Sequence, residues 1–331
     1  PIRCRIDVTG GALAIDFAGS SPQVKGAINS TLSFVKSASY LAVRCAREND
    51  LPNKARVNRC NHVTAPQGSV LNPVMPAPVV ARALTGYRVV DTVMGALAQI
   101  VPERVRAAGE GGNTVVAFGG YHTDTRQPFV MVDMINGAWG GACDRDGVDG
   151  VTNPSQNMSN LPVETTEARY PLRIDSYGFR PDSGGAGRHR GGLGLARQYT
   201  LLADRATLQV RADRATHRPY GLEGGAPGAA SENYLVAADG TRQPMPSKFT
   251  LEVEKGQTVL HWQAGAGGYG DPLERDPLRV REDVEDGKIS LEAARRDYGV
   301  LFAKDGRTLD AAATEAHRAQ LRGARAEEAA Q

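Results

Sequence analysis

The sequence predicts an α+β fold, dominated by mixed or antiparallel β-sheet, with helices early in the chain and a helical C-terminal tail. Three observations predict it. Short runs of alternating apolar residues recur through the middle of the chain, as at Thr114–Phe118, Phe129–Ile135 and Thr207–Ala212, which is the period-two signature of strands. Before residue 101, apolar residues fall instead at helical spacing, and beyond residue 275 paired capping residues mark short helices. Strands and helices segregated along the chain in this way point to α+β rather than to alternating βαβ units.

Taken in order, Ile2–Val8 is strand-like, Gly10-Gly11 turns the chain, and Leu13, Ile15 and Phe17 alternate on the return, so the opening is a β-hairpin. Ser21-Pro22 and Gly26 mark a loop. Leu32, Val35, Tyr40 and Val43 then predict a helix that stops before Leu51-Pro52. Pro66, Pro73, Pro76 and Pro78 exclude a regular helix over residues 65–79. A second helix is predicted from Leu84 to Ile100, with Val89, Val93, Met94, Leu97 and Ile100 on one side and Pro102 beyond its end. Glycine hinges at Gly109-Glu-Gly-Gly112 and Gly119-Gly120 bracket a strand. Residues 137–150 form a wide loop around Trp139, and Leu172 and Ile174 share one face of a further strand. Leu195–Leu202, Tyr234–Ala237, Lys248–Glu254 and Thr258–Trp262 continue the β pattern. In the tail, Asp276 caps a helix with Pro277 at its first position and Gly287 at its end, then Ser290 and Gly299 delimit the next. Residues 311–330 predict an exposed final helix or a frayed tail. The expected division is a β-rich core over 1–275 and a helical tail over 276–331.

Composition narrows the function classes. A net charge of +2 over 331 residues implies neither nucleic acid nor an anionic membrane as partner. No apolar run approaches the roughly 20 residues of a membrane span. Cys4, Cys45, Cys60 and Cys143 show no Cys-x-x-Cys spacing and read as the reduced thiols of a cytoplasmic protein. The first residues already belong to a strand, so the expectation is a C-terminal portion, a processed subunit or the product of a split gene.

The densest signal is Pro181-Asp-Ser-Gly-Gly-Ala-Gly-Arg-His-Arg-Gly-Gly-Leu-Gly194, with six glycines and three basic side chains in fourteen residues. Such glycine either allows turns with φ > 0 or lets backbone approach something closely. A dinucleotide fingerprint fails, because Arg190 stands where the third glycine belongs, and no Gly-Lys-Ser/Thr completes a P-loop. Spacing leaves open a solvated strand-to-strand loop and an anion-facing loop. Preceded by Arg180, this stretch resembles a signature of the hydantoinase B/oxoprolinase family. Asp16-Phe-Ala-Gly-Ser-Ser-Pro-Gln-Val-Lys-Gly-Ala-Ile-Asn29, Leu161-Pro-Val-Glu164, Gly265-Ala-Gly-Gly-Tyr-Gly-Asp-Pro272 and Ala293-Ala-Arg-Arg-Asp-Tyr-Gly-Val300 extend the resemblance over most of the chain.

Candidate site residues come from both sources. Asn157, Asn160 and Glu164 lie in a polar stretch with Asn153, Ser155 and Ser159, where they can hold an amide by its N–H and C=O groups or cap turns. Arg188 and Arg190 suit a carboxylate or acyl phosphate. Asp16 and Asn29 enter through the motif that carries the resemblance. Ser183 reads as a turn residue rather than a nucleophile. His122-Thr-Asp124 and Asp144-Arg-Asp-Gly-Val-Asp149 read as turns, so the residues predict no metal site. The resemblance associates metal with His and Asp motifs in a segment ahead of this one. A divalent ion would therefore come from that segment or from another chain.

The resemblance implies one component of a two-part ATP-dependent amidohydrolase. A hydantoinase A-like partner would bind ATP with Mg2+ and phosphorylate a cyclic amide or imide of the hydantoin or 5-oxoproline type. The component resembling this chain would complete ring opening. A component of an ATP-dependent ketone carboxylase and a non-catalytic assembly subunit are the alternatives.

Overall fold

The computed structural model describes residues 1–47, 60–112, 114–237 and 239–329. It is α+β, as the sequence predicts, with three sheets and helices placed early and late. Strands β1 (Arg5–Thr9) and β2 (Ala12–Asp16) form the expected antiparallel hairpin, in register from Arg5↔Asp16 to Thr9↔Ala12. Gly10 and Gly11 are both left-handed (φ 57° and 79°), the pairing that matches strand twist in a two-residue turn. Strand β3 (Asn61–Thr64) joins β2 in parallel. Four residues are too few to display a period, and β3 was not expected from the sequence.

Helix α1 (Leu32–Cys45) begins at Thr31, whose hydroxyl accepts from Phe34 N. The predicted stop at Leu51-Pro52 lies outside the described residues. Helix α2 (Arg82–Leu97) lies against α1 and buries Val89, Val90, Val93 and Leu97. Ile100, grouped with that stripe by periodicity, falls past the helix end and is 50% exposed. Ile15, Phe17, Val63 and Leu71 complete this first core.

The second core is a sandwich. One sheet has the order β11 (Lys248–Glu254), β8 (Arg205–Arg211), β4 (Thr114–Tyr121), β5 (Pro128–Ile135); the other runs β10 (Arg242–Met245), β9 (Glu232–Val236), β12 (Thr258–Trp262), β7 (Leu195–Leu201), β6 (Leu172–Phe179). Phe118, Met131 and Leu208 from the first sheet pack with Leu172, Tyr199 and Val259 from the second. Strand β10 was unforeseen because it contains Pro244, which a strand tolerates at an edge, where β10 lies. Helix α3 (Val163–Arg169) was also unforeseen and connects the long loop after β5 to β6.

A polar layer crosses this sandwich. Asp133 alternates inward with Phe129, Met131 and Ile135 and meets Arg197 from the opposite sheet at 2.9 Å, both side chains fully buried. Tyr199 donates to the same carboxylate oxygen (2.7 Å), and the Arg197 guanidinium lies 4.4 Å from the centre of the Tyr177 ring. His261 pairs with Arg197 across β12 and β7, and its Nδ1 lies 2.8 Å from Asn233 Oδ1. The Asn233 amide donates to Pro246 O, which leaves its oxygen for His261 and makes Nδ1 the protonated nitrogen. Burial, reinforced by Arg180, brings the His261 pKa down to about 3, so the ring is neutral.

Beside the sandwich, loops around residues 137–147, 183–194, 219–229 and 263–270 stack backbone on backbone. Gly141 N donates to Gly267 O, Gly267 N to Ala108 O, Gly185 N to Ala266 O, Ala266 N to Gly192 O, and Gly268 N to Ala226 O, all at 2.8–2.9 Å. None of the six glycines from 184 to 194 has a positive φ. A Cβ on any of them would instead lie 2.1–2.6 Å from a backbone atom. Of the two reasons for dense glycine, close backbone approach applies here and turn conformation does not.

The tail follows its caps. Asp276 accepts from Leu278 N and starts α4 (Pro277–Glu285), Ser290 accepts from Ala293 N and starts α5 (Leu291–Tyr298), and Gly287 and Gly299 are left-handed. Val280, Ile289, Ala294 and Tyr298 form a third core with Ala186 of the glycine loops. Helix α6 (Ala311–Ala329) is docked by Arg318, which donates to Tyr298 O (2.9 Å) and Arg275 O (2.7 Å). Among the described residues no helix is long and apolar enough to cross a membrane.

Candidate functional site

Polar groups accumulate where α2 meets the Gly109–Gly112 loop. Arg88 and Asp91 stand one turn apart on a helix whose other inward residues are mostly apolar. Arg88 Nη1 donates to Glu110 O (2.6 Å) and its Nε faces Asp213 (3.4 Å), while Lys248 holds the other oxygen of Asp213 (2.6 Å). Asp91 receives Arg214 Nη2 at 2.5 Å. Tyr220 donates to Asp91 O (2.6 Å), and Arg214 Nη2 also reaches Gly109 O (3.2 Å).

Two backbone features accompany this network. Arg214 is left-handed (φ 66°), an uncommon conformation for a residue with a Cβ, and strain of this kind gathers at functional sites. Gly111 is left-handed as well (φ 61°), and a Cβ there would lie 2.2 Å from Asp91 Oδ2. Only glycine lets the loop pass so close to that carboxylate.

Glu110 is 1% exposed. Its Oε2 accepts from Gly112 N (2.7 Å), whereas Oε1 and the neighbouring Arg88 Nη2 have no hydrogen-bond partner among the described residues. Burial raises the Glu110 pKa against the opposing pull of Arg88, the Gly112 N–H and Arg214. A carboxyl group raised in this way can hold a proton at a pH where exposed glutamates have lost theirs. For an acid with a raised native pKa, the unfolded state releases its proton first. The stabilisation is complete below the ordinary glutamate value of about 4.3 and declines as pH climbs through the raised one, by up to ~1.4 kcal/mol per pH unit. Glu110→Gln keeps an oxygen for Gly112 N–H and is expected to flatten that decline. Denaturant unfolding at stepped pH measures it, and identical slopes in the two proteins would refute the raised carboxyl.

Asp91 lines two openings. One is a cavity of about 110 Å³ with walls from Val90, Met94, Val105 and Trp139, lined also by Arg106 and Asn153. The other is a wider cleft of about 390 Å³ bordered by Arg88, Gln99, Arg214, His217 and Tyr220. An apolar cavity with a few convergent polar groups beside a strained, charged network is the arrangement expected of a small-molecule site.

The residues singled out from the sequence lie in three separate places. Asp16 Oδ1 accepts from Thr64 Oγ1 (2.8 Å) and Ala18 N (3.2 Å) at the end of the three-stranded sheet. Asn29 is fully buried, with Oδ1 accepting from Val24 N (2.8 Å) and Nδ2 donating to Val24 O (2.7 Å) and Pro78 O (3.0 Å), so both ends of its amide are engaged by backbone. Asn160 locks onto Asn136 reciprocally, accepting from its N–H (2.8 Å) and donating to its C=O (3.1 Å). Asn157 and Glu164 are exposed.

Arg188 and Arg190 part company. Arg188 is half exposed, donates to Cys143 O (3.2 Å), sits 3.7 Å from Glu274, and borders a charged cleft with Arg145, His189 and Arg279. Arg190 is 3% exposed and faces Asp149 (3.4 Å) and Asp283 (3.5 Å) while donating to Gly191 O (2.7 Å). Its charge is turned toward the protein's own carboxylates, not outward. Ser183 is a turn residue as expected: its hydroxyl donates to Arg180 O (2.6 Å) and accepts from Gly194 N (2.9 Å).

Arg88, Asp91, Glu110 and Arg214 were not picked out from the sequence. The usable signals were an arginine–aspartate pair at helical spacing and a glutamate enclosed by three glycines. Among the described residues no group of three His, Cys, Asp or Glu side chains converges as metal ligands would. No step below passes through a metal ion.

Comparison with known proteins gives a consistent picture. A family model described as hydantoinase B/oxoprolinase matches residues 1–272. An uncharacterized protein of Methanocaldococcus jannaschii is 37% identical over 304 residues, covering 92% of this chain and 53% of that protein. The 5-oxoprolinase 1 of Arabidopsis thaliana is 31% identical over 273 residues, covering 82% of this chain and 20% of that protein. Among solved structures, the ATP-dependent caprolactamase from Pseudomonas jessenii superimposes with a TM-score of 0.85 at 28% identity, over 96% of this chain and 56% of that one. The chain thus spans about half the length, or less, of these three.

Proposed function

Because the chain belongs to the hydantoinase B/oxoprolinase family, we propose that it is one component of a two-part ATP-dependent amidohydrolase that opens a cyclic amide or imide. The observation that carries this reading is the family match over residues 1–272 together with the caprolactamase fold over nearly the whole chain. The partner is a hydantoinase A-like chain that binds ATP with Mg2+.

A five-membered cyclic amide is a poor electrophile, so its oxygen is first phosphorylated by ATP on the partner, releasing ADP. Water then adds to the ring carbon, the C–N bond breaks as nitrogen takes a proton, and an acyl phosphate remains. A second water hydrolyses it to a carboxylate and inorganic phosphate. Such steps need hydrogen-bond donors aimed at developing oxyanions and a group able to give up a proton. In this reading the cavity beside Asp91 orients the ring, with the Asn153 amide near its N–H and C=O. Glu110, raised by burial, stabilises the loop that forms one wall.

The test combines the protein, purified with whatever chains accompany it, with a hydantoinase A-like subunit. ADP and ring-opened product are followed with hydantoin, 5-oxoproline and caprolactam. Product that requires both ATP and this chain is expected. Ring opening that persists without this chain would assign it to assembly, and incorporation of labelled bicarbonate into a ketone, without lactam opening, would assign it to carboxylation. Either result overturns the proposal.

A further inference from the structure

Strand β5 closes one end of its sheet, and it differs from the other three edges of the sandwich. At the far end of the same sheet, β11 carries Lys248, Glu252 and Glu254, all exposed. In the second sheet, β10 carries Arg242 and Pro244. At the opposite edge, the register of β6 shifts between Ile174 and Ser176, and Ile174 N donates to Glu167 Oε1 (2.7 Å). Charges, prolines and bulges are the usual means of keeping one sheet edge from pairing with another. Over its eight residues β5 has none of these except Pro128 at its first position. Its one charged side chain, Asp133, points inward to Arg197. Val130 (69% exposed) and Val132 (43%) face outward instead.

The hydrogen-bond phase of the hairpin shows what this edge offers. His122 N donates to Gln127 O (2.9 Å) and Arg126 N to His122 O (3.0 Å), so the turn closes on His122. In the antiparallel ladder that follows, Phe129, Met131, Asp133 and Ile135 bond to β4. Val130, Val132 and Met134 therefore turn their N–H and C=O groups toward the free edge. Met134 O already accepts from Asn136 Nδ2 (3.1 Å). Pro128 has a carbonyl to offer and no N–H. Among the described residues no loop bonds to the backbone of Val130 or Val132 on that side. The outer face is apolar as well, because Val130 and Val132 lie opposite Gly119 and Ala117, with Tyr121 and Val115 beyond them on β4.

We propose that β5 pairs antiparallel with β5 of a second copy of this chain, about a two-fold axis at Met131. In that register Val130 lies opposite Val132 of the partner subunit, and Pro128 opposite Met134 of the partner subunit. Each valine pair exchanges both backbone hydrogen bonds, and each Met134 N–H meets a Pro128 carbonyl. The two positions left over need nothing: Pro128 lacks the N–H, and Met134 O is held by Asn136. The same strand read in reverse fits this pattern of offered and missing groups at every position. An unrelated strand would need a proline and an occupied carbonyl at the same two places. The outward side chains agree, since no like charges meet across the axis. The contact is isologous and closed, and it joins two four-stranded sheets into one of eight.

Native mass spectrometry of the protein, purified with whatever chains accompany it, is expected to find two copies of this chain per particle. Changing both outward valines, Val130→Lys with Val132→Lys, sets like charges opposite each other across the axis. Self-association is expected to weaken at least about 100-fold. Thr250→Lys, at an exposed position of β11, is the control and should leave it unchanged. Single copies in wild type, or two copies that survive the double change in a folded variant, overturn the proposal. Release of a different polypeptide by the double change, with two copies retained, also overturns it and gives the edge to that polypeptide. If the double variant does not fold, cysteine pairing decides. Oxidising an exchanged mixture of Val130→Cys and Val132→Cys chains is expected to link one variant to the other and neither to itself, above the wild-type level. No link, or equal linking of every pair, overturns the proposal.

Discussion

Gly265→Ala is expected to destabilise the fold severely. A Cβ at this position would lie 1.8 Å from Ser183 O, and within 2.9 Å of Gly184 N. Both are backbone atoms in the middle of the stacked glycine loops, where Gly265 N donates to Ala229 O. No rotamer change relieves such a clash; the peptide planes themselves must separate and break the hydrogen bonds that join them. A loss of more than about 4 kcal/mol follows, the range reserved for substitutions that break a defined structural element. Gly119→Ala is the matched control, since nothing lies within 4 Å of a Cβ built there. It should change stability by less than about 1 kcal/mol. Chemical denaturation of the two variants measures the difference. Comparable stability in both would show that the glycine loops are looser than their hydrogen bonding implies.

Arg197→Ala is the second large effect. It leaves Asp133, fully buried and already short of a partner for Oδ1, facing only the Tyr199 hydroxyl. Removing one partner of a buried ion pair typically costs 3–5 kcal/mol, and here the guanidinium also packs on the Tyr177 ring and donates to Leu161 O. Burial raises the Asp133 pKa even with Arg197 and Tyr199 opposing it, so without Arg197 the group is pushed toward its protonated form. Replacing both partners by apolar residues, Asp133→Leu with Arg197→Met, is expected to cost less than Arg197→Ala alone. A double variant less stable than that single one would show that the pair contributes net stability beyond mutual neutralisation.

How much of this was legible depended on the range over which each feature is decided. The opening hairpin and the caps at Asp276, Ser290 and Gly299 are local, each fixed by a few adjacent residues, and they stand where the sequence placed them. Strand β3 and strand β10 are four residues each, too short for alternation to register, and Pro244 argued against a strand until an edge position was available. The dense glycines could be seen, but choosing between turns and close approach required knowing what they approach. The candidate site was the least legible part. Arg88 and Arg214 are separated by more than a hundred residues, and only the fold brings both to Glu110. Asn29 and Arg190 showed the converse: chemistry apt for a ligand that the folded chain directs to its own backbone and carboxylates.

The stacked glycine loops also bear on how this protein can tolerate sequence change. In a side-chain core an oversized residue can be accommodated by trimming its neighbour, so one substitution can suppress another. Here the neighbour of Gly191 is the Ala266 carbonyl, and the neighbour of Gly267 is that of Tyr220. A carbonyl belongs to every residue type and cannot be trimmed. Substitutions in these loops therefore have no second-site suppressor within the contact, and the region must keep its glycines or give up the stacking altogether.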